Sequence, residues 1–169
     1  MSSGAWGGAA GRPWRLLLAA GGVVAAGLLG APPPAFATAT LDCNADDKSV
    51  SFEAHSVVSH GLAEGFSNFR AVLIVKAKGV SEDFARLELD GAALAHHWLY
   101  GKELKLRLYH ERTEGPHGSV ELVVQTRGGR GDDDGEFGGR YLLTLLDAGQ
   151  EGKPGKEITL RGKVACSVG

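Results

Sequence analysis

Residues 95–126 read AHHWLYGKELKLRLYHERTEGPHGSVELVVQT, and this stretch decides the fold of the chain. From Glu103 to Tyr109 every second residue is a leucine, and the residues between are charged or aromatic. Successive side chains of an extended chain point to opposite faces, so the pattern predicts a half-buried strand. The alternation resumes from Ser119 to Gln125, after the turn-forming sequence Pro116-His117-Gly118. The two runs therefore predict a β-hairpin with a long turn.

Further segments show the same period of two or are apolar throughout, and turns rich in Gly, Asp and Asn separate them. They are residues 41–43, 49–56, 69–78, 84–90, 140–147 and 157–168. Residues 59–68 and 127–139 are rich in glycine and are expected to be loops. About eight short strands predict an all-β, mainly antiparallel domain. Both a β-sandwich and a small barrel bury alternate residues, so the pattern leaves these two architectures open.

One short helix is expected at Ala92–Tyr100. Its first residues favour helix, and Gly101 suits a helix C-terminus. In that helix Leu94 and Trp98, four positions apart, would form the buried stripe.

The first 37 residues have the three parts of a signal peptide. Two arginines precede an apolar run from Leu16 to Leu29, and Ala35-Phe36-Ala37 provides a small-x-small cleavage site. Cleavage is expected after Ala37, or after Ala39 as the alternative. The run is shorter than the roughly 20 apolar residues of a permanent span, so no membrane span is expected after removal. Residues 38–169 then form a single exported domain, either periplasmic or secreted.

Removal of this segment leaves a mildly acidic protein of 132 residues. It carries 16 basic and 20 acidic residues, a formal net charge of −4. Proteins that bind nucleic acids usually carry a basic excess, so nucleic acid is not an expected partner.

The only two cysteines, Cys43 and Cys166, lie near the two ends of the exported chain. Two cysteines in an exported protein usually pair, and each of these falls on the apolar face of its strand. A disulfide that joins the terminal strands is therefore predicted.

The polar side of residues 95–126 carries aromatic and basic residues. Such side chains dominate binding hot spots, because rigid rings bring large contact area and Arg adds planar donors. The candidate binding residues are Trp98, Tyr100, Lys105, Arg107 and Tyr109. The competing interpretation places Trp98 in the core and treats the cations as ordinary solvated charges.

Histidines flank the hairpin turn and raise the possibility of a metal site. His110 and His117 have Glu111 and Glu114 beside them, and imidazole and carboxylate are metal ligands. Turn histidines are common, so a site without metal is the alternative, and no cofactor is assigned. For catalysis, the chain has no Gly-x-Ser-x-Gly motif and no cysteine left free after pairing.

These features predict a non-catalytic envelope protein that binds a protein or a cell-wall glycan through the central hairpin. The alternative is a metal-binding or enzymatic, hydrolase-like periplasmic domain. The oligomeric state and the identity of the partner do not follow from the sequence.

Overall fold

In the computed structural model, the segments in which apolar and polar residues alternate form β-strands. The structure describes residues 38–59, 65–128, 135–148 and 154–169, and the predicted signal peptide, residues 1–37, lies outside them. The described strands are β1 (Thr38–Asp46), β2 (Val50–Ser59), β3 (Gly65–Val75), β4 (Arg86–Asp90), β5 (Leu94–Tyr100), β6 (Glu103–Glu111), β7 (Gly118–Gly128), β8 (Glu136–Asp147) and β9 (Lys156–Val168). One short helix, α1 (Glu82–Ala85), precedes β4, and a 3₁₀ turn (Gly91–Ala93) joins β4 to β5.

All nine described strands form one antiparallel sheet in the order β4-β3-β2-β1-β9-β8-β7-β6-β5. The first and last strands pair with each other, and the two edge strands, β4 and β5, are consecutive in sequence. The rings of Phe66 in β3 and His97 in β5 lie 4.6 Å apart, although these strands are not paired. The sheet is therefore a nearly closed barrel. The predicted all-β, antiparallel class is confirmed, and of the two architectures left open the barrel is the one found.

The central hairpin supplies much of the barrel interior. Strands β6 and β7 pair without interruption from Glu103 opposite Arg127 to Glu111 opposite Ser119. Six of their inward-facing side chains are at most 2% exposed: Leu104, Leu106, Leu108, Val120, Leu122 and Val124. The hairpin prediction is confirmed, and burial of these side chains is the main favourable contribution to folding.

Cys43 and Cys166 form the predicted disulfide, which joins β1 to β9. They stand directly opposite each other in the sheet, and each is 3% exposed. The bond links residues 123 positions apart and is consistent with an oxidising compartment. Among the described residues no helix is both long and apolar enough to cross a membrane.

The prediction of a helix at Ala92–Tyr100 is wrong. After the 3₁₀ turn this segment is strand β5, which pairs with β6 from Leu94 opposite Leu108 to Tyr100 opposite Glu103. The one short helix lies earlier, at Glu82–Ala85. A segment of two helical turns has little stability of its own, so strand pairing with β6 overrides its helix propensity. The segment expected to be a helix thus supplies β5, one strand more than the eight expected.

Both predicted glycine-rich loops are shorter than expected. Strand β2 runs to Ser59 and β3 begins at Gly65, so the described ends of the first loop, 59–68, are strand. In the second, 127–139, strand β7 continues to Gly128 and β8 begins at Glu136. The centres of both loops, residues 60–64 and 129–134, lie outside the described residues.

Arg112 ties together α1, the turn after β6 and the end of β8. Its guanidinium donates hydrogen bonds to Asp83 at 2.5 Å, to Asp147 at 3.2 Å and to the carbonyl of Pro116 at 2.8 Å. It also lies 4.7 Å from the ring centroid of Phe84. The hydrogen bond to Asp83, followed by that to Asp147, raises the pKa of Arg112, and the same contact lowers the pKa of Asp83. We interpret this cluster as structural, because each of the three guanidinium nitrogens of Arg112 donates to a protein acceptor.

A second polar contact inside the barrel joins the β1–β2 turn to β8. The Tyr141 hydroxyl donates to a carboxylate oxygen of Asp47. Burial raises the pKa of Asp47, but hydrogen bonds from Tyr141 and from the N–H groups of Ser49 and Val50 outweigh it, so the net pKa is lowered. A Cβ at Gly162 would meet both Asp47 and the Tyr141 ring, so this packing depends on the glycine.

Candidate binding surface

The outward-facing residues of β5 and β6 include all five predicted binding residues. Trp98 stands directly opposite Lys105, and Tyr100 stands opposite Glu103. The exposed fractions of the aromatic side chains are 47% for Trp98, 76% for Tyr100 and 38% for Tyr109. The interpretation of Trp98 as a core residue is therefore wrong. As part of a strand, Trp98 faces outward, whereas the helical pattern placed it on the buried face.

The rings of Trp98 and Tyr100 form a pair at the free edge of the sheet. Their centroids are 6.1 Å apart and their planes are inclined by 55°. This separation is within the range of favourable aromatic pairs. Both rings are on the outward face of β5 and are exposed to solvent, and the outer edge of β5 has no paired strand among the described residues.

The cations of this surface already have carboxylate partners. Lys105 donates to Glu103 at 3.0 Å, and Arg107 donates to Glu121 at 2.5 Å. Hydrogen bonds from Lys105 and Arg127 lower the pKa of Glu103. Exposed pairs of this kind contribute little to stability, but they hold the cationic side chains beside the aromatic rings.

The structure brings together Trp98, Tyr100 and Lys105. Arg107 is two residues further along β6, opposite His96. Tyr109 is separate. It lies four residues from Lys105, about 13 Å along an extended strand, and its hydroxyl bonds Glu111 at 3.2 Å. We call Trp98, Tyr100, Lys105 and Arg107 the aromatic-basic surface.

The two histidines proposed as metal ligands have different surroundings, because His110 is on β6 and His117 is in the turn before β7. His110 is on the face of β6 that carries Leu108, whereas the His117 Nδ1 lies 3.1 Å from a carboxylate oxygen of the outward-facing Glu111. No group of three or more His, Cys, Asp or Glu side chains placed to hold a metal occurs within the described part of the chain. A metal site at His110 and His117 stays a prediction, with His117 and Glu111 as the pair that is in contact.

One end of the barrel contains a cavity of about 620 Å³ next to the aromatic rings, lined by both apolar and polar groups. It lies between the end of β5 and the nearby ends of β1, β2, β3, β8 and β9. Its lining includes Val58, Phe66, His97, Leu99, Phe137 and Val168, with Trp98 and Tyr100 at the edge. Burial, and then the neighbouring His96, lowers the pKa of His97. Lowering this pKa favours the neutral imidazole beside the cavity.

A depression of about 610 Å³ lies on the outer face of the strands around β1. Its lining includes four carboxylates and two cationic or titratable groups: Asp42, Glu53, Glu88, Glu136, His55 and Arg70. Glu53 and Glu88 flank Val72 in one row across β2, β3 and β4. Two strand spacings separate their backbones by roughly 9.6 Å.

Three cations that the sequence did not single out meet on the outer face of β7, β8 and β9. Gln125, Arg140 and Lys163 stand in one row across these strands, and Val123, Leu142 and Arg161 stand in the next. All six line a depression of about 440 Å³. The alternation of β8 and β9 predicts that the side chains of Arg140, Arg161 and Lys163 face outward. Their proximity depends on strand pairing, which the alternation does not reveal.

Comparison with known proteins adds no relative: no family model, no curated protein and no solved structure matches this chain. Any statement about function therefore depends on the geometry of the surfaces above.

Proposed function

We propose that this protein is a non-catalytic, exported envelope protein, periplasmic or secreted, that binds a protein or a cell-wall glycan through the aromatic-basic surface. The observation that carries the proposal is the exposed pair Trp98 and Tyr100, placed beside Lys105 and Arg107 on one face of a rigid sheet. Rings fixed on a strand lose little conformational entropy when a partner binds, and cationic neighbours add directed hydrogen bonds. The disulfide and the apolar leader support export.

Substitution of Trp98 and Arg107 tests this proposal. Trp98→Ala and Arg107→Ala are each expected to weaken partner binding by about tenfold or more, the usual effect of losing a hot-spot residue. The partner is first recovered from an envelope extract with the intact protein as bait, and its affinity for each variant is then measured by calorimetry. Leu146→Ala is the matched control, because Leu146 is 40% exposed on β8, outside the surface.

Thermal unfolding separates loss of binding from loss of folding. Because Trp98 and Arg107 are exposed, both variants should melt within a few degrees of the parent. If both bind every recovered partner as tightly as the parent and the Leu146 variant do, the aromatic-basic surface is not the binding site and the proposal fails.

The carboxylate-lined depression favours a second candidate function, a hydrolase acting on a glycan. Paired carboxyl groups about 5 to 9.5 Å apart can serve as acid and as base or nucleophile in glycoside hydrolysis. We assign these roles to Glu53 and Glu88, whose backbones are roughly 9.6 Å apart and whose side chains are both exposed to solvent. Release of reducing ends from cell-wall glycan by the parent, lost in Glu53→Gln and Glu88→Gln, would establish this function. A parent protein without such activity would leave the binding function as the better explanation.

A further inference from the structure

We propose that the depression on β7, β8 and β9 is a binding site for the acidic groups of a polysaccharide. Arg140, Arg161 and Lys163 would contact the anionic groups, and Val123 and Leu142 would contact the sugar rings. The proposal deepens the proposed function and rests on it, because it names the partner as an acidic glycan and adds a second contact site on the same barrel.

Among the residues that the structure describes, the three cations have no counter-ion. Within the described ranges, neither an ion pair nor a hydrogen bond is formed by the side chains of Arg140, Arg161 or Lys163. By contrast, Lys105 and Arg107 on β6 are each bonded to a carboxylate. Positive charge is therefore available for a ligand on β8 and β9.

Their arrangement also places like charges side by side. Arg140 stands directly opposite Lys163, and Arg161 is two residues from Lys163 on the same side of β9. Directly opposed residues have Cβ atoms about 5 Å apart, and like charges in such pairs destabilise a sheet. An acidic ligand would remove this repulsion and gain charge-assisted hydrogen bonds from both arginines.

The lining between the cations suits a sugar. Val123 and Leu142 are half-buried and stand opposite each other, and the amide of Gln125 lies beside Arg140. A pyranose ring presents apolar C–H faces and hydroxyl groups, which fit an apolar floor with one amide. The depression, at about 440 Å³, falls within the roughly 300–1,000 Å³ of typical small-ligand sites.

Two other anionic partners fit less well. A protein partner needs about 800 Å² of contact on each side for a standard interface, more than this small depression presents. Nucleic acid fits less well because single-stranded sites stack bases on exposed aromatic rings, and the one aromatic ring among the described lining residues, that of Tyr141, is only 2% exposed. An acidic saccharide combines local charge with ring contacts.

The test measures binding of a short oligogalacturonate to the intact protein by calorimetry at two salt concentrations. Maltotetraose serves as the neutral glycan, and a glutamate oligomer of equal charge serves as the anionic peptide. The parent is expected to bind oligogalacturonate in preference to both, and more weakly at high salt. Arg140→Gln and Lys163→Gln are each expected to reduce affinity by about tenfold, the usual effect of losing a hydrogen bond to a charged group.

Lys78→Gln is the matched control, because it removes one positive charge at the exposed turn after β3. It should leave the affinity unchanged. Without ligand, Lys163→Gln should raise the melting temperature by about 1 to 3 °C, since it relieves the repulsion with Arg140. A variant that is more stable and yet binds more weakly cannot be explained by damage to the fold.

Four outcomes of the calorimetric test overturn the proposal: no binding of oligogalacturonate, equal binding of maltotetraose, equal or tighter binding of the glutamate oligomer, or equal loss of affinity in the Lys78 variant. None of them affects the proposed function, which depends on Trp98 and Arg107 and on the partner recovered from envelope extract. If that partner requires Trp98 but is indifferent to Arg140 and Lys163, the aromatic-basic surface binds and this inference alone fails.

Discussion

Replacement of both Cys43 and Cys166 by alanine is expected to lower the free energy of unfolding by about 3 to 5 kcal/mol. The disulfide joins residues 123 positions apart, and the chain-entropy relation assigns about 4.7 kcal/mol to a loop of about 100 residues. The sheet gives a second reason. Strands β1 and β9 pair at only four positions, whereas β8 and β9 pair at twelve, so the bond reinforces the shortest contact between two halves of the barrel.

Urea titration of the parent and the double variant measures this effect. The midpoint should fall, and the denaturant slope should rise, because an unfolded chain without the cross-link exposes more surface. The parent in the presence of a reductant, unfolded and refolded, is the control for the substitutions themselves, since it breaks the same bond without changing the packing at either site. A loss below about 1 kcal/mol in both preparations would show that strand pairing alone holds the ends together.

Gly139→Ala is expected to lower the free energy of unfolding by about 3 kcal/mol, the upper end of the usual cost of overpacking. Gly139 stands opposite Thr126, and a Cβ there would lie 2.1 Å from the carbonyl oxygen of Gln125 and 2.6 Å from the Cα of Thr126. These atoms belong to the backbone of β7. Relief of the clash therefore requires displacement of a strand in the central hairpin, and not a side-chain rotation.

The adjacent glycine provides the control. Nothing lies within 4 Å of a Cβ at Gly138, so Gly138→Ala should change stability by no more than about 1 kcal/mol, and in the stabilising direction. Both variants are compared by urea unfolding with the parent. Equal stabilities for the two would mean that β7 and β8 are not packed as closely as the structure shows.

These two glycines show how far the sequence could lead. Gly138 and Gly139 belong to a segment that composition predicts to be a loop, and neither residue type nor spacing distinguishes one from the other. The structure places both in β8, with Gly139 toward β7 and Gly138 toward solvent. The difference arises from the neighbouring strand, which is 13 residues away in sequence at the point of contact.

The candidate surface shows the same division. Alternation in Glu103–Tyr109 predicted that Lys105, Arg107 and Tyr109 face outward, and the structure agrees. Alternation could not show which way the Trp98 side chain points, because Ala92–Tyr100 has residues compatible with a short helix as well as with a strand. Pairing with β6 decided between them, and it exposed the ring that the helical interpretation would bury.

The sequence by itself determined the all-β class, the buried faces of the central hairpin and the pairing of two cysteines. Each of these depends on local periodicity or on residue count, which a single chain contains in full. Only the tertiary structure decided that the sheet curls into a nearly closed barrel, and that Arg140 and Lys163, 23 positions apart, stand side by side. Alternation assigns a residue to a face of its strand, but the register between strands is determined by packing across the whole sheet.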